Sequence, residues 1–158
     1  MSNYDLTAGT STKLYQSHDL QRGQLANKVD FSLFTGSAAG AATDTADVIT
    51  IPAGFVVEDV FTVIDTASTT SSSVFGVGDA ADSAYYLPNT TAATAAAGTV
   101  VKTGTGASGK FKDGTSVASY SAATTKWYTT ASTLRVLLGA TAPLNGKVKF
   151  IVRGFMAL

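Results

Sequence analysis

Hydrophobic and polar residues alternate in short runs along most of this chain, and clusters of Gly, Ser, Thr, Asn and Asp separate the runs. Such runs predict β-strands joined by turns. We expect strands over residues 29–34, 47–51, 55–65, 73–78, 84–87, 98–102, 117–128, 133–138 and 147–155. Strands of this number and length predict an all-β fold, a jelly-roll-like antiparallel β-sandwich.

The alternation is clearest in the last two runs. In residues 147–155, three apolar side chains face one way and three basic side chains the other: Val148, Phe150 and Val152 against Lys147, Lys149 and Arg153. Residues 133–138 show the same period, with Arg135 on the outward set. Because a loop with turn-forming residues joins the two runs, we expect them to pair as a hairpin. Residues 55–65 are apolar on both alternating sets, which predicts a central or interface strand.

The first part of the chain has a different character. Residues 1–28 are polar and show neither a two-residue nor a 3.6-residue period, so we interpret them as an N-terminal arm ahead of a sandwich domain over residues 29–158. The opening residues lack the basic and apolar regions of a signal peptide. No run reaches the roughly 18 apolar residues that a membrane helix needs, so we expect no contact with a membrane.

The composition suits a single domain with a sparsely charged surface. The chain has 158 residues, of which 14% are charged and 45% hydrophobic, and it has no cysteine. An average soluble domain has about 25% charged residues. Small Ala and Thr side chains explain part of this difference, and coverage of the surface by neighbouring molecules would explain it equally well.

Charge is zero in sum but unevenly distributed. Eight acidic residues and no basic residue lie between Lys28 and Lys102: Asp30, Asp44, Asp47, Glu58, Asp59, Asp65, Asp79 and Asp82. From Lys102 onward, basic residues dominate and Asp113 is the single acid. Either strands from the two halves interleave and their charges pair, or the subunit carries opposite patches that orient its assembly.

Motifs for catalysis or cofactor binding are weak in this sequence. Residues 104–109 match G-x-G-x-x-G, but no helix start follows them and no acid follows Asp113, as a dinucleotide site would require. His18 is the single histidine and lies in the expected arm. Adjacent Glu58 and Asp59 face opposite sides of a strand unless a bulge intervenes. We therefore expect no enzyme activity and no catalytic, cofactor-binding or metal-binding residues.

Two further patterns have simple structural interpretations. Aspartates at 44, 47, 79 and 82 lack the dense carboxylate spacing of a calcium loop and are better explained as turn caps. The run Lys126-Trp127-Tyr128 combines a base with aromatics, as single-strand nucleic-acid sites do. The zero net charge argues against nucleic acid as a partner.

Several segments together resemble a known group of proteins. They are the IPAG-type turn within 47–57, the strand Val60-Phe61-Thr62-Val63, the run Phe75-Gly76-Val77-Gly78-Asp79, Tyr85-Tyr86-Leu87, residues 128–134 and residues 146–152, with residues 3–9 at the start. In this order they resemble small virion proteins of tailed bacteriophages, in particular capsid decoration or cement proteins. These motifs are structural rather than catalytic.

The resemblance implies a structural protein made in a bacterial cytoplasm and located on the outside of an icosahedral head. Its partners would be the major capsid protein and further copies of itself, with a homotrimer favoured and a dimer possible. We expect the partner-binding residues to be arm and aromatic side chains: Tyr4, Leu6, Leu14, Tyr15, Leu20, Tyr85, Tyr86, Trp127 and Tyr128. The alternative is a tail or fibre module that binds a host receptor or glycan through exposed aromatics.

Overall fold

The chain folds into eleven strands and two short 3-10 helices within the residues that the computed structural model describes, namely 3–9, 11–16, 21–34, 44–102, 125–139 and 145–157. The strands are β1 Asn3–Asp5, β2 Ser11–Gln16, β3 Gln21–Asp30, β4 Thr45–Ile51, β5 Phe55–Thr66, β6 Val74–Asp79, β7 Leu87–Ala92, β8 Val100–Lys102, β9 Lys126–Tyr128, β10 Ser132–Leu138 and β11 Lys147–Met156. The 3-10 helices are Thr7–Gly9 and Phe31–Leu33.

These strands form two sheets. The five-stranded sheet has the order β1-β4-β10-β6-β7. The six-stranded sheet has the order β2-β3-β11-β5-β8, and β9 also pairs with β5. Apart from β1 with β4, the pairings between described strands are antiparallel. The predicted all-β antiparallel sandwich is thus confirmed.

The core lies between the two sheets and contains aromatic rings from both. Phe75 on β6 and Phe150 on β11 meet edge to face, with their ring centroids 6.1 Å apart. Phe31, which follows β3, lies 5.8 Å from Phe75 on the same measure. All three rings are almost completely buried. Burial of each such side chain contributes roughly 1.5–3 kcal/mol to the free energy of folding.

Strand β11 occupies the middle of the six-stranded sheet. It pairs with β3 from Lys147 opposite Asp30 to Met156 opposite Gln21, and with β5 along its other edge. Its alternate residues Val148, Phe150 and Val152 are buried, as predicted. Strand β5 lies between β11 and the short strands β8 and β9, which confirms its predicted central position.

The predicted hairpin between the last two runs is wrong. Strand β10 pairs with β4 and β6 in one sheet, whereas β11 pairs with β3 and β5 in the other. Alternation shows which side chains face the core, but it is the same whether two strands lie side by side or oppose each other across the core. Here the two strands belong to opposite layers.

The segment expected to be an arm is built into the sheets where the structure describes it. Residues 3–5, 11–16 and 21–30 are strands, and β3 pairs with β11 along its entire length. Leu25 and Val29 point into the core. Two inward positions of β3 are occupied by Gly23 and Asn27 rather than by large apolar residues. These two residues interrupt the apolar alternation of β3.

Other differences from the predicted elements are local. Residues 31–33 form a 3-10 helix rather than a strand, because the Asp30 carboxylate accepts hydrogen bonds from the backbone N–H and the hydroxyl of Ser32. Strand β7 begins at Leu87, where the strand predicted over 84–87 ends. Strand β9 forms the last part of the run predicted over 117–128, whose residues up to 124 lie outside the described residues, as does the motif at 104–109.

Asn27 connects the two sheets through hydrogen bonds. Its side chain is buried on β3, and Nδ2 donates to the Leu6 carbonyl oxygen at 2.8 Å and to the Val48 carbonyl oxygen at 2.6 Å. Val48 belongs to β4 in the opposite sheet. Gly9 lies against this amide, since a Cβ there would be 2.4 Å from the Asn27 Oδ1 atom. A buried amide that satisfies two backbone acceptors fixes how the sheets align.

Replacement of this amide tests its contribution to stability. Asn27→Ala removes both donors and leaves two carbonyl groups without these partners, so we expect a loss of about 1–3 kcal/mol in the free energy of unfolding, measured by urea denaturation. Ser71→Ala, at an exposed turn position, is the control and should change stability by less than about 0.5 kcal/mol. Equal stability of the two variants would contradict this assignment.

Candidate functional site

Three of the predicted partner-binding tyrosines meet at one buried carboxylate. Asp79 ends β6 in the five-stranded sheet, and Tyr128 ends β9 in the six-stranded sheet. The Tyr128 hydroxyl donates to Asp79 Oδ2 at 2.6 Å, and the hydroxyls of Tyr86 and Tyr128 are 2.8 Å apart. Lys126 forms an ion pair with the same carboxylate oxygen. We call Asp79, Tyr85, Tyr86, Lys126 and Tyr128 the Asp79 cluster.

The ionised Asp79 carboxylate determines which hydroxyl donates in each of these hydrogen bonds. An ionised carboxylate only accepts hydrogen bonds, so Tyr128 must use its one hydroxyl proton toward Asp79. Tyr86 therefore donates to the Tyr128 oxygen. The result is a directed relay of hydrogen bonds from Tyr86 through Tyr128 to Asp79.

A tight loop after β6 positions Asp79. Its other oxygen, Oδ1, accepts from the backbone N–H of Ala81 at 2.9 Å and of Asp82 at 3.1 Å. The loop passes directly over Gly78, where a Cβ would lie 1.9 Å from the Asp82 carbonyl oxygen. The interpretation of the aspartates at 79 and 82 as turn caps is confirmed, since Asp82 Oδ1 also accepts from the Ala84 N–H at 3.0 Å.

The electrostatics of the cluster favour the ionised carboxylate. Burial by itself raises the pKa of Asp79, but hydrogen bonds from Lys126, Tyr128 and the backbone of Asp82 and Ala81 outweigh it, and the pKa lies below its ordinary value. Burial also raises the pKa of Tyr86 and of Tyr128, so both phenols keep their protons.

Aromatic contacts complete the cluster around the ammonium group. The Lys126 Nζ atom lies 4.7 Å from the ring centroid of Tyr85 and 5.3 Å from that of Tyr128. The rings of Tyr85 and Tyr86 meet edge to face at 5.0 Å. Cation–π contacts of this kind contribute roughly 0.5–2 kcal/mol when partly desolvated. The side chain of Lys126 is thereby held against the end of the sandwich.

This arrangement links the sheets and leaves nothing free for a reaction. Both oxygens of Asp79 are engaged by protein donors, and the residue is 1% exposed. Tyr86 and Tyr128 are also buried. A substrate has no access to the carboxylate, and no described residue beside it is an open nucleophile or base.

Trp127 lies on the other side of the same strand. It is 61% exposed, and it pairs in register with Val56 on β5. Because side chains alternate along a strand, the burial of Tyr128 directs Trp127 outward. Of the four aromatics predicted in the domain, Trp127 is the one that offers a large surface to a partner, while Tyr85 is half-buried.

The predicted binding residues of the first segment are dispersed. Tyr4 is in β1 opposite Ala46, and Leu14 and Tyr15 are in β2. Leu6 is half-buried against the core, and its N–H donates to the Asp47 carbonyl oxygen at 2.7 Å. Leu20 and His18 lie outside the described residues. In the described sheets, β1 and β2 are edge strands, whereas the Asp79 cluster lies at the ends of β6 and β9.

Acidic residues from the first half of the chain pair with basic residues from the second half. Arg135 forms a fork with Asp47, with Nε to Oδ1 at 2.7 Å and Nη2 to Oδ2 at 3.1 Å. Asp30 pairs with Lys147 at 3.3 Å, and Asp79 pairs with Lys126. These contacts favour the interpretation in which strands of the two halves interleave in the sandwich and their charges pair, either between neighbouring strands or between the two sheets.

Glu58 and Asp59 lie at a β-bulge, which is the condition under which the two side chains need not face opposite sides of the strand. The register between β5 and β11 shifts between Arg153 and Gly154, which leaves Glu58 as an extra residue on β5. Gly154 permits this bulge, because a Cβ there would lie 1.9 Å from the Val56 carbonyl oxygen. The pair Glu58 and Asp59 therefore does not alternate as in a regular strand.

Within the described ranges, no three histidine or acidic side chains converge as a metal site would require. None of the helices in that part of the chain is long and apolar enough to cross a membrane.

The Asp79 cluster generates a prediction about pH. Asp79→Asn should lower the free energy of unfolding by about 2–3 kcal/mol at neutral pH, because a buried, fully engaged charge is removed. The native pKa lies below the ordinary value of 3.8, so this stabilisation is present above pH 3.8 and is lost as the pH falls through the native pKa. Urea denaturation from neutral to acidic pH should show the wild type and the variant converging.

The matched control is the same substitution at an exposed ion pair. Asp65→Asn removes the contact with Lys28, in which both side chains are about half exposed, and should cost at most about 1 kcal/mol. A difference between wild type and Asp79→Asn that stays constant into acid would contradict the assigned charge.

Comparison with known proteins places the fold among phage capsid chains. No protein-family profile matches the chain, and no curated protein matches it. A chain of the cyanophage Pam1 capsid asymmetric unit superposes with a TM-score of 0.58 at 18% identity, over 90% of this chain and 89% of that one.

Two further solved structures share the fold. A chain of the Ralstonia phage GP4 capsid gives a TM-score of 0.54 at 16% identity over 99% of both chains. A chain of the acid-stable capsid of Helicobacter pylori bacteriophage KHP30 gives 0.52 at 14% identity, over 94% of this chain and 95% of that one. At these identities the likeness concerns the fold, and it extends over nearly the whole of each chain.

Proposed function

We propose that this chain is a non-enzymatic structural protein of a bacteriophage virion and acts as a capsid decoration, or cement, protein. The observation that carries the proposal is the similarity in fold to chains of three phage capsids, which covers 89–99% of those chains. A match over nearly their whole length means that those chains and this one are about equally long.

The candidate site supports a structural role. The polar residues that converge in the interior are engaged with one another and connect the two sheets. Such a network stabilises one arrangement of the sandwich and offers no reactive group. A rigid fold that acts through its surface is consistent with a protein that bridges other proteins.

The mechanism is selective binding. A cement protein that binds the outside of the assembled shell, and contacts neighbouring major capsid subunits together, stabilises the assembled state by mass action. Many copies on one shell, each bridging several subunits, add avidity without a need for strong individual contacts. The partners are proteins rather than nucleic acid, and the site of action is the surface of the virion after synthesis in the host cytoplasm.

A second candidate is a tail or fibre module that binds a host glycan or receptor. The exposed ring of Trp127 favours it, because aromatic rings with an open face are a common means of recognition at protein surfaces. Tyr86, one of the aromatics predicted to bind a partner, is buried and cannot serve this role. The two candidates differ in what the purified protein binds: the capsid shell in the first, and host cells or polysaccharide in the second.

Binding to empty shells tests the decoration role. When purified protein is mixed with undecorated shells of the phage that encodes it, we expect saturable addition at a fixed number of copies per shell, measured by sedimentation and electron microscopy. Host cells and host polysaccharide serve as parallel targets. Absence of binding to shells combined with saturable binding to cells or polysaccharide would favour the tail or fibre candidate instead.

The oligomeric state is a separate prediction. We expect a homotrimer in solution, with a dimer as the alternative, because sites on an icosahedral head are surrounded by symmetric sets of subunits. Light scattering coupled to size-exclusion chromatography measures the mass directly against the 16.1 kDa of the single chain. A monomer at high protein concentration would contradict self-association.

A further inference from the structure

The outer face of the six-stranded sheet differs from an ordinary solvated sheet face. In β5 and β11, the positions that point away from the core hold five apolar residues: Val56, Phe61, Val63, Ile151 and Phe155. All five are half-buried or buried by their neighbours, and the exposed Trp127 lies beside Val56 at the end of this stripe. A sheet face in contact with water alone is normally polar at these positions.

Basic residues surround this apolar stripe. Described outward side chains of β3 and β11 include Arg22, Lys28, Lys147, Lys149 and Arg153. By register alone, Lys13 lies opposite Gln24, and Lys102 lies opposite Phe61. The acids at outer positions of the same sheet are fewer: Asp30, Glu58, Asp59 and Asp65. We call these rows of β2, β3, β5, β8 and β11, together with Trp127, the basic face.

Ion pairs neutralise only part of the positive charge. Lys28 pairs with Asp65, and Lys147 pairs with Asp30. Arg22, Lys149 and Arg153 form no ion pair within the described part of the chain. On the strands of the five-stranded sheet, by contrast, the one basic residue in the described ranges is Arg135, and Asp47 engages it. The sandwich therefore has one cationic side.

Two of these arginines border a depression in the basic face. Its volume is about 340 Å³, and it is lined by Arg22, Gly23, Gln24, Glu58, Arg153 and Gly154. Gly23 and Gly154 are paired in register, so the floor between the arginines is bare backbone. The Arg153 guanidinium lies 4.7 Å from the centroid of the Phe61 ring, which restrains its position.

We propose that the basic face is the surface by which this protein binds a capsid shell subunit, and that the bound surface of that subunit is acidic. The inference rests on the proposed function. In it, carboxylates of the shell subunit occupy the depression between Arg22 and Arg153, where the planar guanidinium groups bind them as forks. Apolar side chains of the same subunit cover the stripe that ends at Trp127. An exposed tryptophan and two arginines on one face belong to the residue types that dominate binding energy at protein interfaces.

Charge complementarity distinguishes this partner from a second copy of the same chain. A twofold contact between two basic faces would place like charges opposite each other, which disfavours association. Contacts between copies in a trimer are therefore expected to use other surfaces. An acidic partner gains from each unpaired base, and its attraction to the basic face weakens as salt is added.

The test compares two variants with the same change in net charge. Arg22→Gln/Arg153→Gln removes two positive charges from the depression, and Ser71→Glu/Thr94→Glu adds two negative charges in loops outside the six-stranded sheet. We expect the arginine variant to bind undecorated shells about tenfold more weakly or worse, and to lose less of its binding than the wild type when salt is added. The loop variant should bind like the wild type.

The outcomes separate the inference from the proposed function. Thermal unfolding first establishes that both variants remain folded, as exposed positions allow. If the wild type binds shells and the arginine variant binds them equally well, the basic face is not the binding surface. A changed oligomeric mass of the arginine variant in light scattering would show that the face joins copies of the chain, and would overturn the acidic partner. Failure of the wild type itself to add to shells would refute the decoration role, and the inference with it.

Discussion

The full-length pairing of β11 on both edges is the constraint on which the rest of the structure depends. Every residue from Lys147 to Met156 has a partner on β3, and the opposite edge is occupied by β5. One set of its alternate side chains supplies Phe150 to the core, and the other set supplies Arg153 and Lys149 to the surface. A shift of one residue in this register would exchange the core-facing and surface-facing side chains of β11. Both the packing and the basic face are thus set by the same pairing.

The two sheets are aligned by a small number of buried polar contacts in addition to apolar packing. Asn27 holds the β4 backbone from β3, and Asp79 at the end of β6 holds β9 through Lys126 and Tyr128. Apolar contacts between sheets tolerate sliding, whereas hydrogen bonds to a buried amide or carboxylate do not. The orientation of Trp127 is one result, because the engagement of Tyr128 by Asp79 fixes which side of β9 faces outward.

Alternation in the sequence predicts much of the fold but not the partners of its strands. It identifies β4, β5, β6, β10 and β11 because each contains a run of large apolar residues bounded by turn-forming residues. It misses β3, where Gly23 and Asn27 take inward positions. A glycine there does not continue the apolar pattern, and the role of Asn27 depends on carbonyl groups that are distant in sequence. In the candidate site, the sequence does not show that Tyr86 and Tyr128 are buried whereas Trp127 is exposed. Their burial follows from Asp79, which lies 49 residues before Tyr128 in the chain and cannot be recognised as its partner from local pattern.

The position of β11 in the chain has a consequence for how the protein is made. Strands β3 and β5 emerge during synthesis long before β11, which lies between them in the finished sheet. Until β11 is made, the edges of β3 and β5 that it will join have no partner for their backbone N–H and C=O groups, a condition that slows folding and exposes chains to aggregation. The depression between Arg22 and Arg153 is bordered by both β3 and β11, so it is also absent from a partly synthesised chain. A nascent or misfolded copy consequently lacks the surface that we propose binds the shell subunit, so under that proposal only folded copies could bind there.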